Sequence, residues 1–169
     1  MDKWTSSTVR PLSLEGARIW ARLLDVHDGD TITVAAEVFG GHVFQFHVRL
    51  AGIDTPEMTS ADDGIRRRAE VARHRVVQLL APDIADDVRS SKHLTRGQMQ
   101  ALIQRRVHPV FLRCSTFDKY RRVLAEVAVG EDAPHVALAL LEEGLAQPYD
   151  GRTKRQWEHP MGGGSTPGA

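Results

Sequence analysis

The chain has 169 residues, 41% hydrophobic and 26% charged, which suits one globular domain with a real core and excludes a disordered or fibrous chain. Lys plus Arg and Asp plus Glu stand at 22 each, so whole-molecule charge advertises no polyanion partner, and any nucleic-acid contact must come from local patches. The single cysteine, Cys114, excludes an internal disulfide and a thiolate zinc cage. The polar opening Met1–Thr8 carries no signal-peptide pattern and no apolar run is long enough to span a membrane, so an intracellular chain is the expectation.

In chain order, residues 1–15 are polar, broken by Pro11, and read as a loose lead-in. Residues 17–26 read as a first strand. His27-Asp28-Gly29-Asp30-Thr31 follows, and Asp-Gly between two strand-like runs is a strong hairpin signal. Thr31 to Phe39 reads as a second strand, Gly40-Gly41 as a tight turn, and His42 to Ala51 as a third strand. In that strand Phe44, Phe46, Val48 and Leu50 alternate with Gln45, His47 and Arg49, which puts Arg49 on the polar face. Pro56 should end the sheet, and Gly52 is the expected bend that lets Arg49 and Asp54 meet despite strict alternation.

A three-stranded meander brings its first turn and its exit to the same end of the sheet. Asp30 and Asp54 should therefore converge, with Glu57 close behind. Three carboxylates in a small space repel unless cations hold them. A hard divalent metal is the natural compensation: Ca²⁺ accepts carboxylate and carbonyl oxygens loosely, and Mg²⁺ demands a stricter octahedron. The plainer explanations are turn chemistry for Asp28 and Asp30, and a capped strand-to-helix turn for Asp54 to Glu57.

Thr59 to Asp63 supplies caps for a helix expected to run to about Leu80 and to be closed by Pro82. Its apolar stripe is Ile65, Ala69, Ala72, Val76 and Leu80. Arg66, Arg67, Arg68, Arg73 and Arg75 read as the opposite face, either solvated or set against nucleic acid. Asp83 to Lys92 is polar and reads as a loop. Thr95-Arg96-Gly97-Gln98 matches a capping box ahead of a short helix. Val107 to Cys114 is the fourth strand, with Pro109 suggesting an exposed edge. Ser115 to Arg122 is a turn, Val123 to Val129 the fifth strand, and Val136 to Leu141 a helix ended by Gly144 at its C′ position. Leu145 to Tyr149 returns extended. Arg152, Lys154, Arg155 and Trp157 make a basic, aromatic stretch, and a Gly-rich tail follows.

Val26 to Thr31, Arg49 to Glu57, Asp118-Lys119-Tyr120-Arg121-Arg122 and Glu143-Gly144-Leu145-Ala146 together resemble the staphylococcal nuclease (thermonuclease-like) family, in the family's order, across residues 17–149. The resemblance implies an α+β fold: a five-stranded OB-type β-barrel with two to three flanking helices. It implies Ca²⁺-dependent hydrolysis of phosphodiester bonds in DNA and/or RNA, with little sequence specificity and endonucleolytic cutting expected. Asp30 and Asp54 match the family's metal-ligand carboxylates, and Thr55 the residue offering a backbone carbonyl. Glu57 matches the general base, Arg49 and Arg122 the phosphate-binding arginines, and Tyr120 a tyrosine beside the nucleotide pocket; Tyr149 takes the place of a second. The domain expected is residues 16–157, with residues 83–105 as an apparent insertion and 158–169 as a flexible tail; a monomer is expected.

Arg121 departs from the family, standing where Gly is common: a left-handed turn there would strain it. The rival from another class is a non-catalytic OB-fold scaffold that holds nucleic acid or protein, which has no reason to keep Asp30, Arg49, Asp54, Glu57 and Arg122 together. A His-based metal enzyme fits poorly, because the eight histidines form no close pair at metal-ligand spacing on a helix.

Overall fold

The computed structural model describes residues 3–5, 7–91, 94–151 and 157. β1 (Arg18–Asp28), β2 (Thr31–Val38) and β3 (His42–Leu50) form the expected antiparallel meander. Ladder pairing carries β1 to Asp28, so the connecting turn is only Gly29-Asp30. β5 (Pro109–Phe117) and β6 (Val123–Ala128) close the barrel in the order β1-β2-β3-β6-β5. The β3–β6 contact is parallel and short, from Val48 against Val123 to Leu50 against Ala125. Two further pieces, β4 (Ile53–Asp54) and β7 (Gln147–Pro148), pair outside the barrel.

Alternation fills the interior. Leu23, Ile32, Val34, Val48, Leu50, Leu112, Ala125 and Val127 are buried within one apolar cluster. Full burial of each larger aliphatic side chain favours the fold by about 1.5–3 kcal/mol. β1 is bulged twice, between Leu23 and Asp25 and between Val26 and Asp28. A bulge re-aims the strand end, and here it does so just before the acidic turn.

α1 (Asp63–Leu80) begins at Asp62, whose Oδ1 accepts from the N–H groups of Gly64 and Ile65 at 2.7 and 3.0 Å. Ala69, Ala72, Val76, Val77 and Leu80 bury its inner face. Arg73 is buried as well, and so departs from the solvated arginine face expected of it. Pro82 ends α1 and opens a 3₁₀ turn (Pro82–Ile84), followed by α2 (Ala85–Ser90). A loop was expected there, but Ile84 and Val88, four apart, both reach the core, and that short apolar stripe suffices for one helical turn among polar neighbours. α3 (Arg96–Gln104) has the expected Thr95–Gln98 capping box and buries Met99 and Ile103.

β5 is not an edge strand, since it pairs with both β1 and β6. Pro109 is tolerated as the first residue of the strand, where its missing N–H breaks no ladder bond. α4 (Val136–Glu142) ends at Glu143, with Gly144 at φ +68. Among the described residues the barrel carries four α-helices, the short α2 being the addition to the expected set. Among the described residues no helix is long and apolar enough to cross a membrane. Cys114 is free and buried, and burial pushes its thiol up to about 11. Most of the expected basic stretch (Arg152, Lys154, Arg155) and the Gly-rich tail lie outside the described residues.

Candidate active site

Ladder register alone makes Asp30 and Arg49 neighbours. Thr31 faces Arg49 across β2–β3, and the Leu50 N–H donates to the Asp30 carbonyl at 2.8 Å. Gly52 then adopts φ +79, which glycine reaches without steric cost, and the chain turns so that Asp54 meets Arg49. Arg49 donates from Nη2 to Asp54 Oδ1 at 2.8 Å and pairs through Nη1 with Asp30 Oδ2. Thr55 holds Asp30 from the other side: its N–H and its hydroxyl each donate to Oδ2 at 2.9 Å. The Thr31 hydroxyl donates to Oδ1 at 2.9 Å.

Asp30, Arg49, Asp54 and Thr55 are only 2–7% exposed, so the three charged side chains compensate one another inside the protein. Asp28 lies beside them. Burial, and then repulsion from Asp30 and more weakly from Glu57, push its carboxyl above the usual range, while Arg73 and Arg49 oppose the rise.

A cleft of about 470 Å³ opens over this cluster, lined by Asp28, Asp30, Arg49, Thr55, Glu57 and Arg122 with Tyr120 and Tyr149. Arg122 and Tyr120 arrive through the turn between β5 and β6, and Tyr149 through β7, where its N–H donates to the Gly52 carbonyl at 2.9 Å. A second cleft of about 490 Å³ shares Arg49, Arg122 and both tyrosines and adds the apolar side chains of Leu50, Ile53 and Leu124.

Each arginine of the pair faces a tyrosine. The Arg49 guanidinium lies 5.8 Å from the Tyr149 ring centre, and that of Arg122 lies 5.3 Å from Tyr120. Such contacts favour the fold by about 0.5–1 kcal/mol at exposed sites. The turn itself is built on Asp118, whose Oδ1 accepts from the Tyr120 and Arg122 N–H groups at 2.8 and 2.9 Å. Arg121 is left-handed at φ +63, so the strain expected of a non-glycine residue there is present.

Seven of the eight residues singled out from sequence line the first cleft: Asp30, Arg49, Thr55, Glu57, Tyr120, Arg122 and Tyr149. Asp54 lies one layer back, behind Arg49. Lys119 lines both clefts, and Asp118 holds Arg122; neither had been given a role. The four-residue spacing of Asp118 and Arg122 is the available signal for the second, and Lys119 is marked only by its place in the Asp118–Arg122 motif.

Among the described residues no three His, Cys, Asp or Glu side chains are grouped to hold a metal ion. Two carboxylates and the Thr55 carbonyl are nonetheless all hard oxygen donors, the kind Ca²⁺ accepts alongside water. Arg49 pairs with both Asp30 and Asp54 and so supplies positive charge between them. The donor set therefore fits a hard divalent cation, for which Arg49 would compete.

No curated protein matches the chain. The family described as staphylococcal nuclease homologue matches residues 47–161, which is more than half of the chain. The match spans the Arg49–Glu57 segment, the Asp118–Arg122 turn and Tyr149, and it begins after Asp30, whose place in the cluster rests on geometry. The chain belongs to the staphylococcal nuclease homologue family, with a nuclease-type fold built on a closed five-stranded mixed barrel.

Proposed function

We propose that the chain is a Ca²⁺-dependent phosphodiesterase that cuts DNA and/or RNA internally with little sequence preference. The observation that supports this most is one cleft lined by Asp30, Arg49, Glu57 and Arg122, drawn from three separated parts of the chain. The same proposal takes residues 16–157 as the working domain.

Hydrolysis of a phosphodiester needs an activated water on one side of phosphorus and stabilisation of the charge that grows on its oxygens. Glu57 lines the cleft and is the candidate to orient the water and take its proton. Arg122, its Nε held by Asp118 at 2.7 Å, keeps outer guanidinium nitrogens for phosphate oxygens, and Arg49 lines the same cleft. Asp30, Asp54 and the Thr55 carbonyl would hold the cation, which when bound supplies further charge stabilisation. Tyr120 and Tyr149, next to Leu50 and Leu124 in the second cleft, offer a stacking surface to a base.

Cleavage of single-stranded DNA, duplex DNA and RNA by the purified chain tests this, with Ca²⁺, with Mg²⁺ and with chelator, beside Glu57→Gln. Cutting that needs Ca²⁺ and collapses in Glu57→Gln is expected. Absence of cutting under every metal, with binding retained, would replace the enzyme by the non-catalytic scaffold.

A further inference from the structure

Arg73 is a buried cation on α1 that the proposed chemistry does not use. It is 4% exposed, a costly position for a guanidinium. Its Nε donates to the Val26 carbonyl at 2.9 Å, and its Nη2 is buried without a hydrogen-bond partner. Asp25 and Asp28 face it from β1 with opposite charge, Glu70 adds to them, and Arg96 of α3 opposes.

The anchor point is informative. Val26 stands at the second β1 bulge, where the register slips before the acidic turn, and Arg73 bonds to its carbonyl there. One residue earlier on α1, Ala72 closes on the turn from the side. A Cβ at Gly29 would lie 2.8 Å from Ala72 Cβ and 2.9 Å from Thr55 Cγ2. Helix, turn and Thr55 are thus in direct contact, and Thr55 in turn holds Asp30 through two hydrogen bonds.

We infer that Arg73 is a positioning residue: by fixing the bulged end of β1 against α1 it sets the turn that presents Asp30 to the cleft. This rests on the proposal that Asp30 helps to hold a divalent cation. It makes a distinctive prediction, because removing a nearby positive charge should by electrostatics alone tighten cation binding, whereas losing a positioning contact should weaken it.

The test uses the full chain with Arg73→Met and Arg73→Lys. In the metal-free protein, amide hydrogen exchange is followed at Thr55, which bonds Asp30, and at Leu23, which bonds the His108 carbonyl in the barrel. Calcium titration by calorimetry follows. Arg73→Met is expected to accelerate Thr55 exchange by about tenfold more than Leu23 exchange. It is expected to weaken Ca²⁺ binding by about tenfold or more, with Arg73→Lys between it and the wild type. Equal acceleration at both amides, or Ca²⁺ binding unchanged or tightened, would overturn the assignment. If Arg73→Met does not fold, Arg73→Lys decides by the same exchange ratio: a selective effect at Thr55 supports positioning, and wild-type behaviour overturns it. A wild-type chain that binds no Ca²⁺ would instead remove the cation site and this role with it.

Discussion

Asp118 grips Arg122 at two points: Oδ2 accepts from Nε at 2.7 Å, and Oδ1 accepts from the backbone N–H at 2.9 Å. The carboxylate therefore orders the turn and aims the guanidinium at the cleft together. Charge-assisted bonds of this kind are the stronger ones in proteins.

Acid should reveal this contact. Burial alone would raise the Asp118 carboxyl, but hydrogen bonds from Arg122 and from the Tyr120 N–H outweigh it and hold the group below its ordinary value. With the folded value depressed, the stabilisation is complete above the unfolded value of about 3.9 and is lost as pH falls through the folded one. Thermal melts between neutral pH and pH 3 should show a steeper loss of stability in that acid window for the wild type than for Asp118→Asn. Equal slopes would mean that the contact contributes nothing to folding.

The neighbouring Arg121 invites the opposite change. Its φ of +63 is one that glycine reaches freely and that costs other L-residues about 1–2 kcal/mol. Glycine gives some of this back as unfolded-state entropy. Arg121→Gly should therefore raise stability by a net amount of about 0.5–1 kcal/mol in urea denaturation. A loss of stability would show that the Arg121 side chain makes contributions that outweigh its backbone strain.

Period-two alternation and turn chemistry make the three-stranded meander legible in the sequence, while the five-stranded barrel is legible only through the family resemblance. Asp28-Gly29 and Gly40-Gly41 mark the two hairpins and Phe44 to Leu50 the third strand, but the strand's faces depart from strict alternation: Phe44 is exposed and Arg49, read as polar-faced, is buried beside Asp30 and Asp54. The convergence of Asp30 and Asp54 followed from the meander's topology. What stayed hidden depends on partners distant in sequence. Arg73 looks like one more surface arginine until the carbonyl of Val26, 47 residues away, is seen beneath it. Ile84 and Val88 look isolated among acidic residues until the barrel supplies a core for them. Pro109 reads as an edge marker because local sequence does not show that β5 pairs with both β1 and β6.

Gly29 is constrained by space more than by backbone angle. A methyl group there would collide with Ala72 Cβ at 2.8 Å and Thr55 Cγ2 at 2.9 Å, and neither is the end of a flexible chain. Gly29→Ala must therefore push α1 or Thr55 away from the turn, at a cost of about 1–3 kcal/mol. Displacement of Thr55 also loosens Asp30, so under the proposed function turnover should fall more than stability alone explains. Denaturation curves and cleavage rates on one preparation check this; a variant with wild-type stability would show that the packing relaxes freely.

The last prediction concerns the guanidinium between the two acids. Arg49 is 6% exposed and neutralises Asp30 and Asp54, themselves 7% and 5% exposed. Removing one member of a buried ion cluster leaves uncompensated charge and typically costs about 3–5 kcal/mol. Arg49→Ala should accordingly melt well below the wild type in the absence of metal. If Asp30 and Asp54 also serve a divalent cation, Ca²⁺ has to compete with Arg49 in the wild type but not in the variant. Added Ca²⁺ should therefore raise the melting temperature of Arg49→Ala by more than it raises that of the wild type, although cleavage stays lost because the phosphate contact is gone. Melting curves at matched ionic strength, with Mg²⁺ and Na⁺ as controls, separate this from screening. An equal shift in both chains would mean that these carboxylates do not bind the cation.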